Sequence, residues 1–149
     1  MTAPLAPATH ERIAATLTSM NLKYYTEESG EVRTAFPGLA VFFEVEEQGF
    51  KASARWMATL SDASDIYTLR TKANEMNRSL PLVRVHPVVR EDGTAVVVTE
   101  APFFAADGFT DGQLREMLEY FFSAIHHVAD EMRKQFPRIE EMTPTDEGA

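Results

Sequence analysis

Residues 40–58 read AVFFEVEEQGFKASARWMA and predict two antiparallel strands joined by a short turn. On each side of Gln48-Gly49, apolar residues occupy every second position, which is the period of a strand with one buried face. Turns of this length join antiparallel strands, so the stretch indicates a β-hairpin. The predicted buried set is Val41, Phe43 and Val45 in the first strand and Phe50, Ala52, Ala54 and Trp56 in the second.

Three helices are predicted outside this hairpin. Thr9 is a candidate N-cap for a first helix, and a second helix is expected from about residue 64 to residue 78. The third begins at Thr110, where Gln113 completes a capping box, and ends before Pro137. Its apolar residues recur at helical spacing, which indicates one broad buried face.

Turn signals mark the remaining strands. Ser-Gly at 29–30 and Asp-Gly at 92–93 each separate two strand-like segments, and Pro87 within one of those segments indicates an edge strand or a bulge. The pattern therefore predicts an α+β fold with an antiparallel sheet of about five strands and three helices, in the order α-β-β-β-α-β-β-α.

Length and composition suggest one structured domain with two flexible ends. A chain of 149 residues is expected to form a single domain. Residues 1–8 contain two prolines and predict a disordered N-terminal arm, whereas residues 9–136 form the single α+β domain. Residues 137–149 are acidic and contain proline, which predicts a disordered tail.

Composition also argues against several classes of function. The chain has no cysteine, which excludes disulfides, thiolate metal sites and cysteine nucleophiles and fits a reducing interior. The net charge of −9, without a Lys/Arg cluster, argues against nucleic-acid binding. The chain has neither a signal-peptide start nor an apolar run of membrane-spanning length. We therefore expect a cytoplasmic protein that binds neither nucleic acid nor membrane.

The segment SAIHHVADEM, residues 123–132, is the candidate for catalysis or metal binding. On the predicted helix His126 lies near the edge of the apolar stripe and His127 nearly opposite it, so one helix cannot bring both rings to one ion. Asp130 and Glu131 follow them at the spacing of solvated helix pairs. Motifs for nucleotide, calcium or serine-hydrolase sites are also missing. We predict no catalytic, cofactor-binding or metal-ligating residue, and the protein is not expected to be an enzyme.

The order of these elements resembles the YbjN family over most of residues 9–136. The segments that carry the resemblance are SARWMA (53–58), NEMNR (74–78), VHPVVREDGTAVVV (85–98) and GFTDGQLREMLEYFFSAI (108–125). The resemblance implies a fold like that of the class I type III secretion chaperones and a role as a bacterial sensory transduction regulator. It brings no catalytic residues with it.

The leading functional hypothesis is a non-enzymatic protein-binding domain, regulatory or chaperone-like, with an unidentified protein partner. Three helices cannot easily cover both faces of the sheet, and exposed apolar area of that kind usually marks an interface. The outward face should carry Phe42 and Met57 together with Arg55, Glu44 and Lys51. Two copies could bury this face symmetrically and form a homodimer.

A second candidate surface and two other functions are compatible with the sequence. Asn74, Asn77 and Arg78 lie off the apolar stripe near a helix end, either as a polar contact surface or as a helix C-terminus favoured by the dipole. The main alternative function is a small-molecule sensor, with a pocket between sheet and helices lined by Phe and Trp. A hydrolase using His86 or His126 is the third.

Overall fold

Three helices pack on one face of a six-stranded sheet in the computed structural model, which describes residues 4–144. All neighbouring strands are antiparallel, in the order β1-β2-β3-β4-β6-β5. The elements are α1 (His10–Ser19), β1 (Tyr25–Thr26), β2 (Val32–Phe36), β3 (Leu39–Glu46), β4 (Gly49–Leu60), α2 (Ala63–Ser79), β5 (Arg84–Val89), β6 (Ala95–Phe104) and α3 (Asp111–Gln135).

This arrangement confirms the predicted α+β class and the three helices. The strand count is six rather than about five, because the two residues of β1 pair with β2. Pro87 lies in β5, which is an edge strand as predicted, and an edge tolerates a residue without a backbone N–H. Within residues 4–144, no helix is long and apolar enough to cross a membrane.

The core lies between the helices and the inner face of the sheet. It contains the alternating apolar residues of β3 and β4 together with the buried face of α3. Trp56 is 2% exposed and its ring centroid is 6.5 Å from that of Phe136, so its predicted place in the core is confirmed. The apolar residues that alternate along the strands and those that recur at helical spacing therefore form one common core.

The third helix begins as its capping signal predicts. The backbone N–H of Gln113 donates to Thr110 Oγ1 at 3.0 Å, and the backbone N–H of Thr110 donates to Gln113 Oε1 at 2.9 Å. These reciprocal bonds satisfy donors that a helix N-terminus leaves without partners. The long buried face of α3 thus has a defined starting point.

Part of the predicted N-terminal arm pairs with the domain. Ala6 forms an antiparallel bridge with Phe109, and Ala8 is buried in the core. The Arg12 guanidinium donates to the Phe109 carbonyl and to Asp111 Oδ1, both at 2.9 Å. The expected loose arm is thus not observed from Ala6 onward, because the arm finds a backbone partner in the loop before α3. Residues 1–3 of the predicted arm lie outside the described residues.

The first part of the predicted tail also packs on the domain. Ile139 packs against the core, and Glu141 bridges to Ala58 and accepts two hydrogen bonds from Arg133, at 2.6 and 2.9 Å. Gly38 has φ 74°, and a Cβ there would collide with the Glu141 carboxylate. The expectation of a disordered tail is thus not met over residues 137–142, because these contacts hold the segment. Residues 145–149 of that tail lie outside the described residues.

Candidate functional site

The second face of the sheet has no helix on it in the described part of the chain. Strand register aligns its side chains in cross-strand rows, and they are absent from the core cluster that the helices cover. We call this surface the open face. Its central rows contain Arg33, Phe42, Ser53, Glu100 and Arg84 in one, and Ala40, Arg55, Val98 and His86 in the next.

Phe42 lies on the open face, as predicted. It stands directly opposite Arg33 on β2 and Ser53 on β4, and its ring is half-buried. Its neighbours along β3, Val41 and Phe43, point into the core. An aromatic ring on the uncovered side of a central strand gives the open face an apolar contact point.

A charge network crosses four strands beside it. Lys51 Nζ is 3.4 Å from Glu44 Oε2 and 3.7 Å from Glu100 Oε2, and His86 Nε2 is 3.0 Å from Glu100 Oε1. The hydrogen bond to Glu44, followed by the charge of Glu100, raises the pKa of Lys51. Of the two cross-strand partners that the sequence allows for Glu44, Lys51 and Arg55, the structure has Lys51, and the charges in this part of the face are paired.

Arg55 differs from these charged neighbours. It lies on β4 between Ala40 and Val98, whose side chains cannot accept a hydrogen bond. Its Nε is buried and has no hydrogen-bond partner among the described residues. Burial lowers the pKa of Arg55, and the nearby charge of Arg90 lowers it further. The open face thus holds a half-buried guanidinium whose surroundings disfavour its charge.

The prediction that Met57 is exposed on this face is wrong. The side chain is only 2% exposed. The pairing of β4 with β6 shifts between Trp56 and Leu60, and at this end the Met57 carbonyl accepts a bond from the Met142 backbone N–H at 2.6 Å. The C-terminal segment therefore occupies the end of the strand that the sequence suggested was open.

The polar residues at the end of α2 are divided between two roles. Asn77 Nδ2 donates to the Val85 carbonyl at 3.0 Å, and its Oδ1 accepts from the Val85 N–H at 2.6 Å. Asn77 thus closes the free edge of β5 in the way a further strand would. Asn74 and Arg78 remain exposed at the rim of a shallow groove that also includes Arg84. Strand pairing by an amide side chain has no local sequence signal, so the sequence suggested only a contact surface or a helix C-terminus for Asn77.

The two candidate histidines, His86 and His126, lie on opposite sides of the sheet. His126 Nδ1 is 2.7 Å from the Phe122 carbonyl, and its ring packs edge-on against Phe36 on the helix side of the sheet. His86 lies on the open face, so the sheet separates these two histidines. Among residues 4–144, no three His, Asp or Glu side chains are grouped to hold a metal ion.

An apolar cleft lies between α3, the end of β6 and the loop before β5. This cleft has a volume of about 230 Å³, below the range of roughly 300–1,000 Å³ that is usual for ligand pockets. Leu82 forms part of its rim, is 68% exposed and has a left-handed φ of 68°. The Tyr120 hydroxyl donates to the Pro81 carbonyl beside it. The lining residues are Leu82, Phe103, Gln113, Glu116, Met117 and Tyr120.

Fold and surface together define a small α+β domain with one helix-covered face and one open sheet face. The chain belongs to the YbjN family, whose model, described as "Putative bacterial sensory transduction regulator", matches residues 9–134. The predicted family is therefore confirmed. No curated protein matches the sequence.

Two solved structures align with the chain. The crystal structure of YbjN from E. coli, described as "a putative transcription regulator", aligns with a TM-score of 0.75 at 14% identity, over 88% of this chain and 96% of that one. The Yersinia pestis type III secretion chaperone SycH, solved in complex with a stable fragment of YscM2, aligns with a TM-score of 0.44 at 18% identity, over 79% and 98%.

Proposed function

We propose that this protein is a non-enzymatic protein-binding domain, regulatory or chaperone-like, that acts in the cytoplasm and binds its partner on the open face. The observation that carries the proposal is the open face itself. It exposes a half-buried aromatic side chain, Phe42, beside a half-buried cation, Arg55, and no helix of the described chain covers either. Interfaces are enriched in aromatic residues and arginine, with polar residues at the rim.

The regulatory part of the proposal is supported by the family description. The family model carries the description of a sensory transduction regulator, and binding of another molecule is the way in which such a regulator receives and passes on a signal. The charge network around Lys51 suits a rim, because paired surface charges contribute more to specificity than to affinity.

The test is capture of binding proteins by the immobilised protein and by two variants. Phe42→Glu places a charge at the proposed contact, whereas Tyr67→Glu changes an aromatic residue of α2 that is 74% exposed and lies away from the open face. We expect a defined protein, identified by mass spectrometry, to be retained by the wild type and Tyr67→Glu and lost with Phe42→Glu. Equal retention by both variants, with folding verified by circular dichroism, would rule out the open face.

Self-association is the second form this binding can take. Two-fold dimers are the commonest soluble assemblies, and a mixed apolar and charged sheet face can be self-complementary. In light scattering, a homodimer through this face should become a folded monomer on Phe42→Glu and stay a dimer on Tyr67→Glu. If the wild type is a monomer at high concentration, the open face does not form a homodimer, and its partner is a different protein.

The alternative function is a small-molecule sensor, and one observation favours it. The apolar cleft beside Leu82 is lined almost entirely by apolar surface, and an exposed leucine with a left-handed φ is uncommon outside functional segments. Thermal-shift screening against metabolites tests this function. A large shift with one ligand class that disappears in Met117→Glu would favour the sensor, and its absence would favour protein binding.

A further inference from the structure

We infer that Arg55 is the receptor for a carboxylate of a bound protein segment, so that the open face selects partners carrying Asp or Glu beside an apolar residue. This inference rests on the proposed function, because it names the chemistry recognised by the same face. It also separates Arg55 from the other half-buried cations of this face, Arg33 and Lys51, each of which lies within 4 Å of a carboxylate oxygen of the chain.

The first argument is a comparison of all half-buried cations in residues 4–144. Six arginine and lysine side chains are half-buried, and five of them have a carboxylate oxygen within 4 Å. Arg55 is the exception. The five pairs are Arg12 with Asp111, Arg33 with Glu27, Lys51 with Glu44, Lys72 with Glu131, and Arg133 with Glu141.

The second argument is the free-energy cost of leaving the half-buried Arg55 guanidinium without an anionic partner. A buried polar group without a partner is destabilising, and a charged one more so. Its Nε–H is buried and has no acceptor among the described residues, and the positive charge of Arg90 adds to the cost of burial. A folded chain that compensates every comparable cation but leaves this one uncompensated indicates that the anion is supplied by another molecule.

The third argument concerns the kind of anion. A guanidinium presents planar, forked donors that match a carboxylate. A polyanion such as nucleic acid is disfavoured, because the chain has a net charge of −9. Apolar side chains lie on the same face, with Val98 directly opposite Arg55 and Val88 in the neighbouring row 42% exposed. An extended segment with alternating acidic and apolar residues would satisfy the cation and bury these side chains together.

A second copy of the chain is a poorer occupant than a different protein. A two-fold axis through the centre of the open face would bring Arg55 and Arg90 of one copy toward the same pair in the other. Like charges that approach in a desolvated interface are destabilising. Charge complementarity therefore favours an acidic segment of another protein.

The experiment uses two synthetic probes, the peptide acetyl-Glu-Phe-Glu-Phe-amide and its analogue with Gln in place of Glu. The readout is the arginine Nε–H region of a ¹⁵N correlation spectrum, in which the Arg55 signal is assigned by its loss in Arg55→Met. We expect the acidic peptide to shift this signal and to bind at least tenfold more tightly than the Gln peptide. Binding to Arg55→Met should be at least tenfold weaker, and Arg55→Lys should lie between.

Arg70→Met is the matched control, because Arg70 is an exposed arginine of α2 on the helix side of the sheet. It should bind the acidic peptide like the wild type. Arg55→Met should remain folded with a melting temperature no lower than that of the wild type, because it removes an uncompensated charge and keeps the aliphatic stem. A loss of binding there is therefore not a loss of fold.

Several results would overturn the inference. These are equal binding of the two peptides, no shift of the Arg55 signal at millimolar peptide, or undiminished binding by Arg55→Met. An equal response to acetate at the same carboxylate concentration would indicate a small-anion site instead. A shift of the signal with protein concentration alone would assign the carboxylate to a second copy. If a captured partner is lost with Phe42→Glu but kept by Arg55→Met, protein binding by the open face stands and carboxylate recognition fails.

Discussion

Removing the charge of Glu141 should release the C-terminal segment from the domain. Its carboxylate accepts from Arg133 Nε at 2.6 Å and from Arg133 Nη2 at 2.9 Å, and the same guanidinium donates to the Pro37 carbonyl at 3.2 Å. The hydrogen bond from Arg133 lowers the pKa of Glu141, and burial opposes it. The indole N–H of Trp56 lies nearby and is buried, but it makes no hydrogen bond of regular geometry within residues 4–144. Its contribution to the lowered pKa of Glu141 is therefore minor.

The expected size of the effect follows from this geometry. The side chains of Arg133 and Glu141 are 37% and 23% exposed, so solvent screens the pair in part. A bidentate pair of this kind contributes about 1 kcal/mol to the free energy of unfolding. For a chain of this length, about 1 kcal/mol corresponds to a fall of about 3 °C in the melting temperature. Glu141→Gln should show that fall at pH 7 by calorimetry.

The effect should depend on pH with a definite sign. A carboxylate whose pKa is lowered on folding stabilises the protein above the pKa it has when unfolded, about 4.3, and loses that contribution as the pH falls through the folded value. The difference in melting temperature between wild type and Glu141→Gln should therefore be complete at pH 7 and become smaller below about pH 4. Glu140→Gln is the control, because the carboxylate of Glu140 is next to Glu141 in sequence but is exposed and has no ion pair in residues 4–144. Equal melting temperatures for the two variants at pH 7 would refute the reasoning.

Two further predictions concern stability. Asn77→Ala should lower the free energy of unfolding by about 1–3 kcal/mol in urea denaturation, because it leaves the N–H and carbonyl of Val85 without their partner. Asn74→Ala, which changes an exposed amide three residues earlier, should stay within about 0.5 kcal/mol of wild type, and a similar loss in both would contradict the edge-closing role. Thr110→Ala should cost about 1 kcal/mol by removing half of the capping box, whereas Thr110→Ser should restore most of the loss.

Much of the fold was predictable because its signals are local. The alternation in β3 and β4 has a period of two, the stripe of α3 has the helical period, and the turns at 29–30 and 92–93 carry their own residue preferences. The strand missing from the predicted count of about five, β1, has only two residues, within the strand-like segment before the 29–30 turn, and it pairs with β2. A segment that short has no period of its own.

The candidate site was predictable only in part. Alternation placed Phe42 and Arg55 on the side of the sheet opposite the core, and the structure has both there. It also placed Met57 in the open, because the pattern does not show that β4 shifts register after Trp56 or that Met142 pairs beside it. Contacts between residues far apart in sequence decide such exposures.

By itself, the sequence determined the helices, the hairpins and the inward and outward sides of most of β3 and β4, since these follow from periods, caps and turns. The order of its segments also indicated the YbjN family, as a resemblance. Only the tertiary structure decided which charges meet. Lys51 pairs with Glu44 across one ladder, whereas Arg55, four pairs of residues further along the same ladder, stands opposite an alanine. The physical reason is that strand order and register set each cross-strand neighbour, and a register change of one residue would turn every outward side chain inward.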